Sequence, residues 1–346
     1  MLRSSFFASR RPLGALLITP LLLLAVACGQ DGTTPTTTGA AGDSGGATTG
    51  ATTSGSGGSG GDGGSAPLTP VPLSIVEWNT RNFFDNFVNP ATPSETVLSA
   101  ADYANKRKTI GAALKALDGD IVVLAEIENK AILDDLNKAE LGGAYSQTIL
   151  MEGNDSRGID VGMLSKIAPD SVVSHKDEYF VLKGTNGPQY RFARDCLEVH
   201  FTVNQRELIL LGVHFRAKSA PDDPDKRLAE AQHARQIADD LHAKKPGAAI
   251  LILGDFNDTP GSPPYAAVMG AAPDLFVDSA DVVPFSERYS YTYQGNHELI
   301  DHQAANPRLA ALLDPTQVVL LHGSKIDDGS KSASDHSPFK ATYQVR

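Results

Sequence analysis

The 346-residue chain has little cysteine and no excess of basic charge. Its two cysteines, Cys28 and Cys196, are too few for a disulfide-rich scaffold. Asp and Glu number 41 against 30 Lys and Arg, which gives a net charge of -11. An acidic body argues against broad electrostatic binding to nucleic acid. A phosphodiester substrate stays open, because a bound divalent cation can reverse the sign of the potential in an acidic cleft.

Large apolar side chains are almost missing from residues 29–70, which consist mainly of Gly, Ser and Thr. Such a segment cannot bury enough apolar surface to offset its ordering entropy, so we expect a flexible linker. The acidic excess lies in the remainder of the chain, because basic and acidic residues cancel within residues 1–65. Residues 71–346 are sufficient for one large domain with a single core.

The N-terminus has the pattern of an export signal. Three arginines precede an apolar run at residues 13–27, which ends in small residues. The run is too short for a typical membrane-spanning helix. A membrane anchor that is never cleaved remains an alternative. The stretch LAVAC resembles a bacterial lipoprotein signal, in which Cys28 would become the lipidated first residue. Leu24 lies one position further from Cys28 than in the usual pattern, so ordinary signal-peptidase cleavage stays open.

These features predict three segments and a location. Residues 1–28 are the export signal, residues 29–70 the linker and residues 71–346 the folded domain. The protein is expected to be exported, either as an outer-membrane lipoprotein or as an extracellular protein. If Cys28 is lipidated, the membrane is a partner through the anchor, and Cys196 is the only free thiol of the mature chain.

From residue 71 onward, short apolar runs alternate with helical patterns. Two segments, 99–117 and 225–243, have the apolar spacing of helices, and Ser99 is a candidate N-cap. The short connection Asn204-Gln205 suggests a hairpin. This mixture predicts α/β or α+β layers rather than a purely parallel sheet, without an internal repeat. The predicted strands are residues 73–78, 120–127, 160–165, 196–203, 206–215, 248–258, 318–322 and 339–345.

Polar side chains gather at the ends of the predicted strands. Open α/β sheets bind ligands at strand ends, so one shared site is the economical interpretation. Taken singly, each residue could be an ordinary turn residue or a buried histidine. The stretch GDFND is more specific, because Gly254 permits a tight turn and the next two polar side chains face one side. The residues concerned are Asn79, Glu126, His214, Asp255, Asn257, Asp301, Asp335 and His336.

Seven motifs occur in the order seen in the endonuclease/exonuclease/phosphatase superfamily. They are IVEWN, VLAEIEN, FARD, GVHF, LILGDFND, LIDH and SDHSPF. The chain resembles this superfamily over nearly all of residues 73–346, and DNase I and the secreted bacterial nucleases in particular. GDFN and SDHSP are strong signals, whereas VEWN and LAE are weak singly. The resemblance implies an α+β fold, a four-layer α/β/β/α sandwich, and Mg²⁺-dependent cleavage of a phosphoester, with Mn²⁺ or Ca²⁺ as alternative ions.

The resemblance also implies a role for each residue near the metal. Phosphodiester hydrolysis needs a positioned water, neutralised phosphoryl charge and a stabilised leaving oxygen. Hard oxygen ligands suit Mg²⁺, and Glu126 is the first expected ligand, with Asn79 beside it. Asp335 would complete the ligand shell directly or through water. Asp255 and Asn257 would hold the attacking water and a phosphate oxygen.

Two histidines would serve as acid and base. Asp301 is expected to orient His336 by accepting its ring N–H. His214 would be the second proton-transfer group, and Asp160 is the candidate for its orienting carboxylate. Phosphate and backbone contacts are expected from Arg194, Arg157, Arg216 and Lys218.

The leading hypothesis is a secreted or surface-tethered nuclease that acts as a monomer on DNA or RNA. The alternatives are a sphingomyelinase-like or inositol-phosphatase-like phosphoesterase and a non-catalytic surface-binding domain. His214 argues against the abasic-site repair branch, which generally lacks a histidine there. The chain lacks the long apolar hairpin of a membrane-docking sphingomyelinase. The intact set of candidate catalytic residues argues against a purely binding domain.

Overall fold

The computed structural model describes residues 68–88, 96–218, 223–327 and 333–346. All of these residues belong to one compact unit, Gly64–Arg346. The predicted export signal, Cys28 and nearly all of the predicted linker lie outside the described residues. Within the described residues, no helix has both the length and the apolar character needed to cross a bilayer.

Sixteen strands form the sheets of the described chain. In chain order they are β1 (Val71–Phe83), β2 (Ile121–Ile127), β3 (Gln147–Leu150), β4 (Asp160–Ser165), β5 (Ser171–Ser174), β6 (Phe180–Val181), β7 (Gln189–Tyr190), β8 (Cys196–Val203), β9 (Arg206–His214), β10 (Ala249–Asp255), β11 (Val277–Asp278), β12 (Tyr291–Tyr293), β13 (Asn296–Glu298), β14 (Asp301–Ala305), β15 (Val319–Leu320) and β16 (Phe339–Val345). The first sheet has the order β15-β16-β1-β2-β4-β3, and the second has the order β11-β14-β10-β9-β8-β5. Two small hairpins, β6-β7 and β12-β13, lie outside these sheets.

Helices cover the sheets of this part of the chain. They are α1 (Ala100–Leu117), α2 (Lys130–Ala139), α3 (Asp223–Lys244), α4 (Pro263–Met269) and α5 (Pro307–Ala310). Short 3-10 turns occupy Ser279–Val282, Phe285–Glu287 and Pro315–Gln317.

The apolar core is divided into layers by the two sheets. Ile75 and Val123 of the first sheet pack with Leu210 and Leu251 of the second sheet between them. Because side chains alternate across a strand, the opposite faces carry a second set of apolar residues. On the first sheet that set packs with residues of α1 and α2, and on the second sheet with residues of α3 and α4. This confirms the predicted four-layer α/β/β/α sandwich.

Local sequence signals explain several elements. The Ser99 side chain accepts a hydrogen bond from the Asp102 N–H at 3.1 Å and caps α1. Helix α1 ends at Leu117, and the capping residue after it, Asp118, adopts the left-handed conformation with φ 48°. Asn204 and Gln205 have φ values of 48° and 64°, as a two-residue hairpin turn requires. The predicted hairpin between β8 and β9 is therefore confirmed.

Strand pairing gathers the predicted site residues at one edge of the sandwich. Strands β1 and β2 are parallel, with Asn79 beside Ala125, so Asn79 lies next to the end of the strand that carries Glu126. Strands β9 and β10 are also parallel, and their last residues, His214 and Asp255, are paired. Antiparallel β14 begins there, with Asp301 opposite Asp255. The carboxyl ends of both central strand pairs therefore carry the polar side chains.

Candidate active site

A cavity of about 560 Å³ opens at this edge. Aromatic, acidic and basic side chains share its wall. Three predicted site residues, Asp301, Arg216 and Asp160, are not among the lining residues. The predicted site residues that line it are Asn79, Glu126, Arg157, Arg194, His214, Lys218, Asp255, Asn257, Asp335 and His336.

His336 and Asp301 form a buried pair. The His336 Nδ1 and Asp301 Oδ2 atoms are 2.7 Å apart, and Asp301 is completely buried. Burial acts to lower the His336 pKa, but the Asp301 charge and hydrogen bond, with the charges of Asp255 and Asp335, outweigh it and raise this pKa to about 10. The structure thus brings together the two residues that were predicted as a dyad, and it holds the imidazole in its protonated form.

Asp255 lies at the centre of the site. Its Oδ2 accepts a hydrogen bond from Asn79 Nδ2 at 2.9 Å and lies 3.5 Å from His214 Nε2. Its Oδ1 accepts from the Asn257 backbone N–H at 2.7 Å. Burial and the nearby Asp301 charge raise the pKa of Asp255 to about 7. The predicted pair Asp255 and Asn257 therefore shares one wall of the cavity with Asn79.

Glu126 occupies a strained backbone position at the end of β2. Its φ is +62°, a region that non-glycine residues rarely adopt. Its Oε2 accepts from the Asn82 N–H at 2.6 Å, and its Oε1 lies 3.5 Å from Asn79 Nδ2. Such strain persists where the surroundings fix it, and it is concentrated at functional sites.

His214 is held differently from His336. It is buried, and its Nδ1 has no hydrogen-bond partner among the described residues. Burial, followed by the charges of Arg194, His336 and Arg157, lowers its pKa well below the ordinary value. The imidazole is therefore neutral.

Asp160 does not supply the predicted orienting carboxylate for His214. Its Oδ1 accepts from the Gly153 N–H at 2.6 Å, and no hydrogen bond joins it to His214 within the described chain. Asp160 begins β4, where it lies opposite Ile127 of β2, whereas His214 ends β9 in the other sheet. Sequence patterns do not encode such a separation between sheets.

Two predicted arginines converge on Asp155. Arg157 Nε lies 3.1 Å from Asp155 Oδ1, and Arg194 Nε lies 3.1 Å from Asp155 Oδ2. The Arg194 side chain is only 2% exposed, whereas that of Arg157 is 51% exposed. Arg157 is therefore better placed to contact a substrate phosphate, with Arg194 behind it.

The other two basic residues that were predicted to contact the substrate, Lys218 and Arg216, have different surroundings. Lys218 Nζ lies 3.6 Å from Asp258 Oδ1 at the cavity wall. The Arg216 backbone N–H donates to Glu230 Oε2 at 2.6 Å, and its carbonyl oxygen accepts from Arg227. The predicted contact of Arg216 with a polymeric backbone stays a prediction.

An aromatic pair in the cavity wall was not predicted. Tyr291 and Tyr293 of β12 have nearly parallel rings, 12° apart, with centroids separated by 6.4 Å. The Tyr291 ring also lies 4.8 Å from the His336 ring, and Tyr293 is 53% exposed. The alternating aromatics of YSYTY, followed by Gln294-Gly295, are the signal that could have indicated a hairpin here.

The donor chemistry of the cavity fits a hard divalent cation. Glu126 and Asp335 are partly exposed carboxylates of the wall, with side chains 14% and 26% exposed. Such oxygens suit Mg²⁺, which retains several of its waters. Asn79, as oriented, turns its amide nitrogen toward Glu126 and Asp255, while its oxygen accepts from the Arg81 N–H. In this orientation it positions the two carboxylates rather than offering an oxygen to the cation.

A separate group of three residues has donor atoms close enough to one another to share a metal ion. Asp255, Asp301 and His336 each present one donor atom, and these atoms lie within 4.8 Å of one another. A cation here would compete with the 2.7 Å contact between His336 and Asp301. All three residues are buried, which disfavours an ion that keeps its waters. The partly exposed pair Glu126 and Asp335 is therefore the better candidate.

Comparison with known proteins identifies the family. A model of the Endonuclease/Exonuclease/phosphatase family matches residues 74–310. No curated protein matches the sequence.

Solved structures share the fold at low sequence identity. Truncated TDP2 from Caenorhabditis elegans is 15% identical, with a TM-score of 0.53 over 79% of this chain and 98% of that one. TDP2 from D. rerio, complexed with a single strand DNA product, is 18% identical, with a TM-score of 0.54 over 79% and 99%. A family protein from Bacteroides thetaiotaomicron is 16% identical, with a TM-score of 0.54 over 81% and 97%.

Proposed function

The chain belongs to the endonuclease/exonuclease/phosphatase family, and on this basis we propose that it is a metal-dependent phosphodiesterase that cleaves nucleic acid. One observation carries the proposal. A protonated histidine, His336, and a neutral histidine, His214, face the same buried carboxylate, Asp255, in one cavity. Pairs of groups whose environments separate their pKa values are the mark of acid and base assignments.

The proposed base is the Asp255 and His214 pair. Asp255 and Asn257 hold the attacking water, and Asp255 accepts its proton, with the neutral His214 Nε2 3.5 Å from the Asp255 carboxylate. Asn79 fixes the Asp255 carboxylate through its 2.9 Å hydrogen bond, so that the carboxylate does not rotate away from the water.

The proposed cationic group on the other side is His336. Its Nδ1 is fixed by Asp301, which leaves Nε2 to donate a charged hydrogen bond to a phosphoryl oxygen or to the leaving oxygen. Arg157 adds a second positive charge at the cavity wall. These groups stabilise charge that develops in the transition state.

A divalent cation held by Glu126 and Asp335 would neutralise phosphoryl charge and stabilise the leaving oxygen. Its identity is part of the proposal, with Mg²⁺ as the first choice and Mn²⁺ or Ca²⁺ as alternatives. The protein's own side chains position the attacking water, accept its proton and stabilise the charge that develops in the transition state.

Nucleic acid is the proposed substrate because the phosphate-facing groups adjoin an aromatic surface. Tyr291 lies beside His336, and Tyr293 extends the aromatic surface outward. Nucleobases stack on such rings whatever their sequence. The related D. rerio TDP2 was solved with a single strand DNA product, which supports the same substrate class.

The test compares substrates and metals. The purified protein is incubated with plasmid DNA, RNA and sphingomyelin, each with Mg²⁺, with Ca²⁺ or with EDTA. We expect cleavage of DNA or RNA with a divalent cation and none with EDTA. The His336→Ala variant controls for a contaminating nuclease. Hydrolysis of sphingomyelin alone would instead favour the lipid phosphodiesterase, and no hydrolysis of any phosphoester would favour a binding domain.

A further inference from the structure

Lys106 is a charged side chain of α1 that contacts two separate segments next to the cavity. Its Nζ donates to the Arg81 carbonyl oxygen at 2.7 Å and to the Ala333 carbonyl oxygen at 3.1 Å. It also lies 5.9 Å from the centre of the Phe83 ring. Lys106 does not line the cavity, so it has no part in the proposed chemistry.

The first segment is the irregular end of β1. Arg81 and Asn82 have φ values of 53° and 50°, and the pairing with β2 shifts between Asn79 and Phe83. This conformation is sterically unfavourable for residues with a Cβ atom. It turns the Arg81 N–H onto Asn79 Oδ1 at 2.9 Å and the Asn82 N–H onto Glu126 Oε2 at 2.6 Å. The bulge therefore sets the positions of both side chains.

The second segment leads to the other half of the site. Ala333 precedes Ser334, whose hydroxyl donates to the Asn79 carbonyl oxygen at 2.6 Å and accepts from the His336 N–H at 3.0 Å. The His336 carbonyl oxygen accepts from Trp78 Nε1 at 2.8 Å. This segment fixes Asp335 and His336 against the end of β1.

We propose that Lys106 is a positioning residue that holds these two segments together, so that the Glu126 and Asp335 carboxylates face the same cation. The Lys106 ammonium group donates to one carbonyl oxygen in each segment. Hydrogen bonds from a charged donor are stronger than those between neutral groups. The inference rests on the proposed function, because it assigns Lys106 to the metal-binding half of that site.

The test uses the only tryptophan of the chain, Trp78. Trp78 is completely buried and hydrogen-bonded to His336, so its fluorescence reports on the site without any turnover. The full-length protein is titrated with Mg²⁺ alone, and kcat and KM are measured separately on an oligonucleotide. The variants are Lys106→Met, Lys106→Arg and the control Lys108→Met, which alters an exposed lysine on the same helix.

We expect Lys106→Met to raise the Mg²⁺ concentration at half-maximal fluorescence change by about tenfold or more, as for other residues that orient metal ligands. The same variant should lower kcat by a similar factor with KM nearly unchanged. Lys106→Arg keeps the charge and several donors, so it should restore most of both values. Lys108→Met should match the wild type.

An unchanged Mg²⁺ midpoint and kcat in Lys106→Met would overturn the inference, as would a wild-type fluorescence that does not respond to Mg²⁺. If Lys106→Met does not fold, Lys106→Gln, which keeps two N–H donors but loses the charge, is measured in the same way. A raised midpoint then supports the inference and an unchanged midpoint overturns it. If the wild type cleaves no phosphodiester, the proposed function fails, and the Mg²⁺ titration still decides the role of Lys106.

Discussion

At the scale of the single residue, two histidines of one cavity differ in charge, one neutral and one protonated, for separate physical reasons. His214 is neutral because burial and nearby positive charges disfavour its protonated form. His336 is protonated because Asp301 offsets its burial. Removing one carboxylate should therefore change the protonation of His336 without altering the shape of the site.

We expect Asp301→Asn to lower kcat by roughly two to four orders of magnitude, as for loss of a general acid or base. His336→Ala should give a similar loss, because both changes remove the same cationic group. The measurement is kcat/KM on an oligonucleotide from pH 5 to pH 10. Full activity of Asp301→Asn across this range would show that the pair does not act as a unit.

The same pair predicts how stability depends on pH. The pKa of His336 is raised in the folded state, from 6.5 to about 10, so its proton stabilises the fold. This contribution is fully present below pH 6.5 and is lost as the pH rises through about 10. In Asp301→Asn the partner is gone, so Tm measured in EDTA should fall less between pH 7 and pH 10 than in the wild type. An equal fall in both proteins would contradict the assignment.

Glu126 is the second residue whose charge the site requires. We expect Glu126→Gln to weaken Mg²⁺ binding and abolish turnover while the fold stays intact, because one ligand charge is lost. Glu298→Gln is the matched control, since it removes a carboxylate from the same cavity wall. The measurements are activity against Mg²⁺ concentration and the circular dichroism spectrum. Wild-type Mg²⁺ dependence in Glu126→Gln would refute its role as a ligand.

At the scale of the element, we propose that the hairpin β12-β13 contributes to substrate recognition, because Tyr291 and Tyr293 line the cavity. Tyr293→Ala removes an exposed ring that could stack on a base, a contact of about 1–3 kcal/mol. We therefore expect its KM for single-stranded DNA to rise by roughly 5- to 160-fold, with kcat little changed. Tyr179→Ala is the control, since Tyr179 is 63% exposed and does not line the cavity.

A small phosphodiester substrate that has no nucleobase serves as the control, because its hydrolysis rate cannot depend on base stacking. Tyr293→Ala and the wild type should hydrolyse it equally. If Tyr293→Ala retained the wild-type KM for DNA, the hairpin would have no part in base recognition.

Elements with regular apolar spacing could be predicted from the sequence, and elements with polar sequences could not. Strands β4, β8 and β16 have the predicted bounds, because apolar or aromatic side chains recur along each of them. Strand β14 was missed because its sequence, DHQAA, is polar although every residue in it is buried. Its polar groups find partners in other elements, such as the bond from His302 Nδ1 to Asp278 at 2.6 Å.

In the candidate site, residues within local motifs could be predicted from the sequence, whereas contacts between distant segments could not. Residues in recognisable motifs, such as Asp301 and His336, lie together as predicted. Contacts between distant segments, such as those of Lys106, leave no local pattern. The Asp160 prediction rests on the stretch RGIDVG alone, which carries no information on which sheet each strand joins.

At the scale of the whole molecule, the described domain has two distinct ends. Strand β1 begins at Val71, opposite Val345 of β16, and it reaches Asn79 at the other end. Eight residues of strand span roughly 26 Å. The chain thus enters the domain at the end opposite the cavity.

We propose that Cys28 is lipidated and that residues 29–70, nearly all of which lie outside the described residues, act as the tether. Gly29, rather than Asp, follows Cys28, which in lipoproteins of the type it resembles favours the outer membrane. A flexible coil of about 40 residues has an r.m.s. span of roughly 35 Å. That span lets an acidic domain reach soluble polymer without pressing against an anionic surface.

Cells that express the wild type or Cys28→Ser are fractionated, and activity is measured in each fraction. Wild-type activity should partition with membranes and enter detergent, because the acyl chains hold it there. Cys28→Ser should be released or left unprocessed, since it lacks the acylated sulfur. Cys196→Ser is the control, because Cys196 is buried in the domain and cannot carry an anchor. If the wild type and Cys28→Ser appeared equally in the culture fluid with the same mature N-terminus, the enzyme would be freely secreted.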